Sequence, residues 1–267
     1  MIAISSAHKK TNAYVNEWVA WHLSLGFDRI FIHNDNDFGY PYIGDFIDER
    51  YKDKVVIIPS NKENGECVCS MQARVINNFI QQYAGKIEWC AFIDSDEFIH
   101  IDNHSSVQEW LSKAPEEVMC IALNWRMYGD DGIIVGDESK PVQERFIKCM
   151  NEYHSQHGKY YGNIVKKIIR LNKDIVADDM FIFRDRNDRI DMYDCNFVNQ
   201  SKCAVMIGAE CSDYKCYINH YVTKSLSECC KYKCSDLWGY QSFEEYYFAF
   251  NKRTDEKELY IREHVTK

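Results

Sequence analysis

The sequence predicts an α/β fold with a mostly parallel central sheet, helices on both of its faces and further helices at the C-terminal end. Three observations carry this reading. Short apolar runs alternate with segments of helical period up to Ile101, one of those runs ends abruptly in a cluster of carboxylates, and aromatic residues recur at helical spacing near the end of the chain.

Ile2 to Ser6 is a short apolar strand. A helix follows from about Asn12 to Leu25, because Val15, Trp18, Val19, His22 and Leu23 share one face and Gly26 suits the residue just past a helix end. Arg29 to His33 is the second strand, Asn34 to Gly39 a polar turn, and Lys54 to Ile58 the third strand. After a helix at Cys67 to Tyr83, Trp89 to Ile93 is apolar throughout, the pattern of a strand covered on both faces. It ends in Asp94-Ser95-Asp96-Glu97 before Phe98 to Ile101 resumes an extended pattern. Strands joined by helices in this order predict a parallel sheet whose ligands gather at the strands' carboxyl ends.

Beyond Asn103 the pattern is less regular. We read a helix at Val107 to Leu111, a strand at Val118 to Asn124, and a Gly/Asp-rich loop from Gly129 to Asp137 suited to an acceptor-site lid. A strand at Ile164 to Arg170 and a polar stretch through Asp213 lead to Ile218-Asn219-His220-Tyr221. From Ser225 the chain is helical, with Phe243, Tyr246, Tyr247 and Phe250 forming a stripe for packing against the sheet.

Bulk properties narrow the function. A chain of 267 residues can bury a full core, and one domain over 1–267 is expected, with a nucleotide-binding half (1–103), an acceptor half (104–224) and a helical end (225–267). The net charge of −9 repels phosphate backbones, so nucleic acid is not an expected partner and any anionic ligand must be held locally. The 12 cysteines are irregularly spaced, and Cys67, Cys69, Cys229, Cys230 and Cys234 include no CxxC pair, which argues against structural zinc. With Met1-Ile2-Ala3-Ile4 opening a strand instead of a signal peptide, the expected compartment is the cytoplasm. No apolar run reaches the ~18 residues needed to span a bilayer, leaving at most peripheral membrane contact.

Carboxylates crowded at the end of a buried strand oppose one another's ionisation unless a cation compensates them. Mn²⁺ or Mg²⁺, which takes one or two carboxylates and completes its shell with phosphates, suits Asp94-Ser95-Asp96 beside a nucleoside diphosphate. Alone the motif reads equally well as a solvated acidic turn. Its place on a strand end, after an α/β start, favours the metal.

The wider wording resembles a known family. Asn16-Glu17-Trp18-Val19-Ala20-Trp21-His22-Leu23-Ser24-Leu25-Gly26 is similar to the EWxxxHxxxG opening of family 92 and related family 2-like glycosyltransferases. Trp89 to Phe98 resembles their strand ending in D-x-DEF, and Asn124 to Gly129 their tryptophan turn. Glu144-Arg145-Phe146, Lys166 to Arg170 and Asn219 to Ser225 follow in family order. The resemblance implies a GT-A (Rossmann-like) fold, a nucleotide-sugar donor, Mn²⁺ or Mg²⁺, and transfer with inversion. UDP-galactose is the donor it suggests, with a saccharide acceptor, lipid-linked or free. Lys10-Thr11 and Asn34-Asp35 depart from the family pattern where such folds hold the nucleoside.

Individual roles follow. Asp96 is the expected metal ligand, with Asp94 on the ribose or the metal, and the resemblance adds His220 as a further ligand from the far end of the chain. Ala7, His8, Lys9 and Asp35 are expected around the nucleoside, and Lys224 against the leaving phosphate. Trp125 and Tyr128 would stack on a sugar ring, core packing being the alternative. Asp131 and Glu144 are the two candidates for the base that takes the acceptor's proton. Two rival readings carry their own signatures: a nucleotidyltransferase would need a Gly-rich phosphate loop, which Ser5-Ser6-Ala7-His8 lacks, and a non-catalytic carbohydrate-binding module would need no Asp-x-Asp.

Overall fold

The computed structural model describes residues 1–60, 66–102, 104–150, 164–186, 188–200, 215–233, 237 and 239–265; Asn103, Cys234 and the stretch from 201 through Asp213 lie outside the described residues. The chain forms two compact units, one of residues 1–125 and 162–218, the other of 126–161 and 219–267.

The first unit is built on β1 (Ile2–His8), β2 (Arg29–Asn34), β3 (Val55–Pro59) and β4 (Trp89–Phe92), parallel and ordered β3-β2-β1-β4. The connections β1 to β2 and β3 to β4 run through α1 (Val15–Ser24) and α2 (Val68–Tyr83). Period-two alternation gives the sheet two different faces. Phe31 packs on Phe79 of α2 with ring centroids 5.0 Å apart, while His8, on the other face, meets Trp18 of α1 at 4.9 Å.

Past β4 the expected mostly parallel arrangement gives way to a mixed sheet. β7 (Val165–Arg170) runs antiparallel to β4, with Trp89 opposite Arg170 and Phe92 opposite Lys167, and β6 (Cys120–Tyr128) runs antiparallel to β7. The sheet order continues through β12 (Cys216–Tyr221) to β5 (Glu97–Ile101). Strand direction is set by the connection, and an apolar run such as Val165 to Ile169 buries equally well in either direction. A small antiparallel sheet of β8 (Ile175–Ala177), β9 (Phe183–Asp185) and β10 (Asp188–Arg189) lies against α2, where Asn77 exchanges two hydrogen bonds of 2.8 Å with the Ala177 backbone. α3 (Val107–Leu111) and the two-residue β11 (Met192–Tyr193), parallel to β6, complete this unit.

The second unit contains α4 (Val142–Arg145), α5 (Leu226–Tyr232), α6 (Phe243–Phe250) and α7 (Asp255–His264). Ser225, Ser242 and Thr254 each cap a helix through the side-chain oxygen, and Ser225 with Glu228 forms a reciprocal capping box. The expected aromatic stripe is the buried face of α6, where Phe243, Tyr246, Tyr247 and Phe250 are all core residues. Among the described residues no helix is long and apolar enough to cross a membrane.

Candidate active site

Trp18, Trp21 and His22 of the opening helix hold the acidic turn where it enters β5. Trp18 and Trp21 donate their indole N–H groups to the carbonyls of Glu97 and Ile99, each at 2.7 Å. His22 Nδ1 lies 2.8 Å from the Trp18 carbonyl, which can only accept, so the proton sits on Nδ1 and Nε2 accepts the Ile99 N–H at 3.2 Å. Burial holds this imidazole neutral, with its pKa lowered to about 3. Gly26, at φ +96°, ends the helix in the left-handed region, and its carbonyl accepts from the Gln108 side chain. Helix α1 is thereby fastened to β5, and the turn joining β4 to β5 is held at its β5 end.

That turn carries three carboxylates. Glu97 is fully buried and closes it, with Oε2 accepting the Asp94 N–H at 2.8 Å and its own N–H donating to the Asp94 carbonyl at 3.2 Å. Lys166, at the start of β7, is also fully buried and places its ammonium 2.7 Å from Asp94 Oδ2 and 3.6 Å from Glu97 Oε1. Burial pushes the Glu97 carboxyl well above the carboxylate range; Lys166 opposes this rise, and Asp94 and Asp96 add to it. Burial opposes the charge on Lys166, but Asp94, Glu97 and Asp96 outweigh it and raise its pKa. Asp96 is buried, and Asp94 is partly open to solvent.

A shallow open pocket with a cavity volume of about 30 Å³ adjoins the turn. Ser5 and Ala7 of β1, His33 of β2, Ser60 after β3, and Phe92 to Asp94 at the end of β4 form its floor and rim, with Met71, Gln72, Val75 and Ile76 of α2 and Met180 as walls. The strand order β3-β2-β1-β4 reverses direction between β1 and β4, and a crevice at the carboxyl ends of the strands at such a point is where open α/β sheets bind ligands. Burial lowers the His33 pKa to about 4, and its Nε2 meets the Ser5 hydroxyl at 2.8 Å.

The expected nucleoside residues separate by strand parity. Ala7 and Asp94 line the pocket. His8 points to the opposite face, buried against Trp18 with Nδ1 on the Thr11 hydroxyl at 3.0 Å; desolvation lowers its pKa to about 3, against the pull of Asp96. Lys9 forms a surface ion pair with Asp37 at 2.9 Å, and Asp35 donates its backbone N–H to the His8 carbonyl at 2.9 Å. Trp125 is buried, with the Lys166 ammonium over its ring at 5.7 Å, so packing accounts for it here. Sequence reasoning did not single out Lys166, His33, Ser60 or Gln72. Two adjacent lysines inside the apolar run Val165 to Ile169 were the available signal, because a lysine is rarely buried without a partner.

Asp94 and Asp96 offer oxygen ligands only, the donor set that Mg²⁺ or Mn²⁺ takes when phosphates complete its shell, and they fit such an ion. Among the described residues no three His, Cys, Asp or Glu side chains cluster to hold a metal ion, so the expected three-ligand set of Asp94, Asp96 and His220 is not preassembled.

The second unit holds the remaining expected residues. Asp131, at φ +51°, lines a pocket with a cavity volume of about 360 Å³ together with Lys148, Lys252 and Glu256. Its Oδ2 accepts the N–H groups of Ile147 at 2.9 Å and Lys148 at 3.2 Å. The neighbouring Asp130 is a buried hub: it meets Lys257 Nζ at 2.5 Å, accepts from the Tyr247 hydroxyl, and donates its N–H to Asn251 at 2.7 Å. Glu144 is exposed on α4, and Arg145 beside it makes a buried fork to Glu228 at 2.7 and 3.0 Å. Tyr128 packs against Tyr221 with centroids 4.8 Å apart and the rings tilted by 31°. His220 is fully buried in β12, and Lys224 is buried at φ +56° with Nζ 3.3 Å from the Tyr221 carbonyl.

Fold and site together define an α/β protein with a ligand crevice at a sheet switch point and an acidic turn on its rim. The curated proteins it matches are glycosyltransferases by name. It is 26% identical over 200 residues to a glycosyltransferase family 92 protein of Ricinus communis, covering 64% of this chain and 34% of that protein. It is 29% identical over 190 residues to a glycosyltransferase family 92 protein of Oryza sativa subsp. japonica, covering 60% of this chain and 30% of that protein. The matches thus span about a third of the length of these relatives. No family model matches the chain. The two relatives bear out the resemblance to glycosyltransferase family 92 and support a glycosyltransferase.

Proposed function

We propose that this chain is a metal-dependent, inverting glycosyltransferase that moves a hexose from a UDP-sugar to a saccharide acceptor, galactose being the sugar the family resemblance suggests. The observation that carries the reading is the pocket between β1 and β4 with Asp94 on its rim and Asp96 two residues further on. Ser5, Ser60 and Gln72 offer hydrogen-bonding groups to a nucleoside, while Met71, Ile76 and Phe92 offer apolar surface.

A divalent cation held by Asp96 and Asp94 would neutralise the diphosphate as it departs. The acceptor hydroxyl oxygen attacks the anomeric carbon, the bond from that carbon to the diphosphate oxygen breaks with its electron pair, and a carboxylate takes the hydroxyl proton. Asp131 is favoured over Glu144 as that base because it lines a pocket, whereas Glu144 is exposed on α4. A set of UDP-sugars incubated with the protein and Mn²⁺ tests the reading. One of them should release UDP, with NMR showing the opposite anomer in the sugar product; no release from any of them, or a retained anomer, contradicts it.

A further inference from the structure

The antiparallel direction of β7 has a chemical consequence. With Phe92 paired to Lys167, the residue before Lys167 lies just beyond the end of β4, at the acidic turn. That residue is Lys166, whose ammonium has no exposure and therefore cannot reach a ligand in the pocket. Its other walls are the Phe181 ring at 4.8 Å, the Trp125 ring at 5.7 Å and Met180 Sδ at 3.3 Å, surfaces that accept a cation but carry no net charge. Asp94, at 2.7 Å, supplies the compensating charge, and the Glu97 carboxyl lies at 3.6 Å.

We propose that Lys166 is a positioning residue, a built-in counter-cation that shapes the Asp94-Ser95-Asp96-Glu97 turn before any metal arrives and reserves one oxygen of Asp94 for itself. Carboxyl groups crowded on one turn oppose one another's ionisation, and a cation beside them relieves that cost. With Lys166 in place the turn is ready-made, and a divalent ion is left Asp96 and the second oxygen of Asp94. The inference rests on the donor-site reading only for the identity of that ion, and its test contains no nucleotide, so either can fail alone.

The experiment compares the melting temperature of the wild type and Lys166→Met, with and without MnCl₂. Methionine keeps much of the stem's bulk and removes the charge. Mn²⁺ should raise the melting temperature of the wild type by less than it raises that of the variant, because the wild-type turn already carries its counter-cation. The variant should melt at least ~5 °C lower, as expected when a buried charge loses its partner, and Mn²⁺ should restore half or more of that loss. If Lys166→Met is too unstable to melt, the double variant Lys166→Met/Asp94→Asn is used, and removing both partners should recover a folded protein. A variant that melts like the wild type overturns the proposal. So does a loss that neither Mn²⁺ nor Asp94→Asn relieves, which would assign Lys166 to packing alone.

Discussion

Replacing His22 by Gln should make the protein less sensitive to acid, and the size of the effect follows from two hydrogen bonds. Nδ1–H donates to the Trp18 carbonyl and Nε2 accepts the Ile99 N–H, so protonating the ring would set a second N–H against the Ile99 N–H. Burial holds the folded pKa to about 3, against ~6.5 in the unfolded chain. A histidine depressed in this way leaves the unfolded state binding more protons between the two values. Its stability contribution is complete above ~6.5 and is lost as pH falls toward about 3. Each pH unit below ~6.5 costs ~1.4 kcal/mol, so moving from about pH 7.5 to about pH 5 removes ~2 kcal/mol through this residue alone. Glutamine can make a similar pair of hydrogen bonds but does not titrate. Urea denaturation at both pH values should show the wild type losing ~2 kcal/mol more than His22→Gln, with His33 contributing to both proteins. Equal losses would refute the placement of a neutral imidazole between α1 and β5.

Two further outcomes concern the second unit. Asp131→Asn should lower turnover by at least ~10² with little change in UDP affinity, while Glu144→Gln transfers normally, and steady-state kinetics with UDP titration checks both. Arg145→Met strands a Glu228 carboxylate that is fully buried. It should cost ~3 kcal/mol or more, lowering the melting temperature by ~6 °C or more in a thermal scan.

Much of the first unit was legible because its signals are local. The alternation of apolar runs and helical periods placed β1 to β4 with α1 and α2, and the carboxylates after Phe92 marked the strand end facing the crevice. Side-chain parity is legible too: Ala7 and His8 point to opposite faces, so only one of them can enter the pocket. The role of Trp18 and His22 as fasteners was hidden, because their partners are backbone groups of residues 97 and 99, far away in sequence. Strand direction was equally hidden. Nothing in Val165 to Arg170 distinguishes parallel from antiparallel pairing, yet that choice delivers Lys166 to Asp94. Around Glu144-Arg145-Phe146 the motif drew attention to the carboxylate, whereas it is the guanidinium that pairs in the interior, with Glu228 eighty-three residues later.

The central claim is that Asp96 and Asp94 hold a divalent ion against a nucleoside diphosphate in the crevice between β1 and β4. Calorimetric titration of UDP into the protein, with and without Mn²⁺, tests it most directly when repeated on Asp96→Asn, which keeps the side-chain shape and removes the charge. The account predicts that Mn²⁺ tightens UDP binding to the wild type by at least ~10-fold, the scale expected of a metal shared between protein and phosphate, and that the variant loses this gain while keeping its metal-free affinity. UDP binding that is indifferent to Mn²⁺ in the wild type, or an undiminished Mn²⁺ effect in Asp96→Asn, would contradict it.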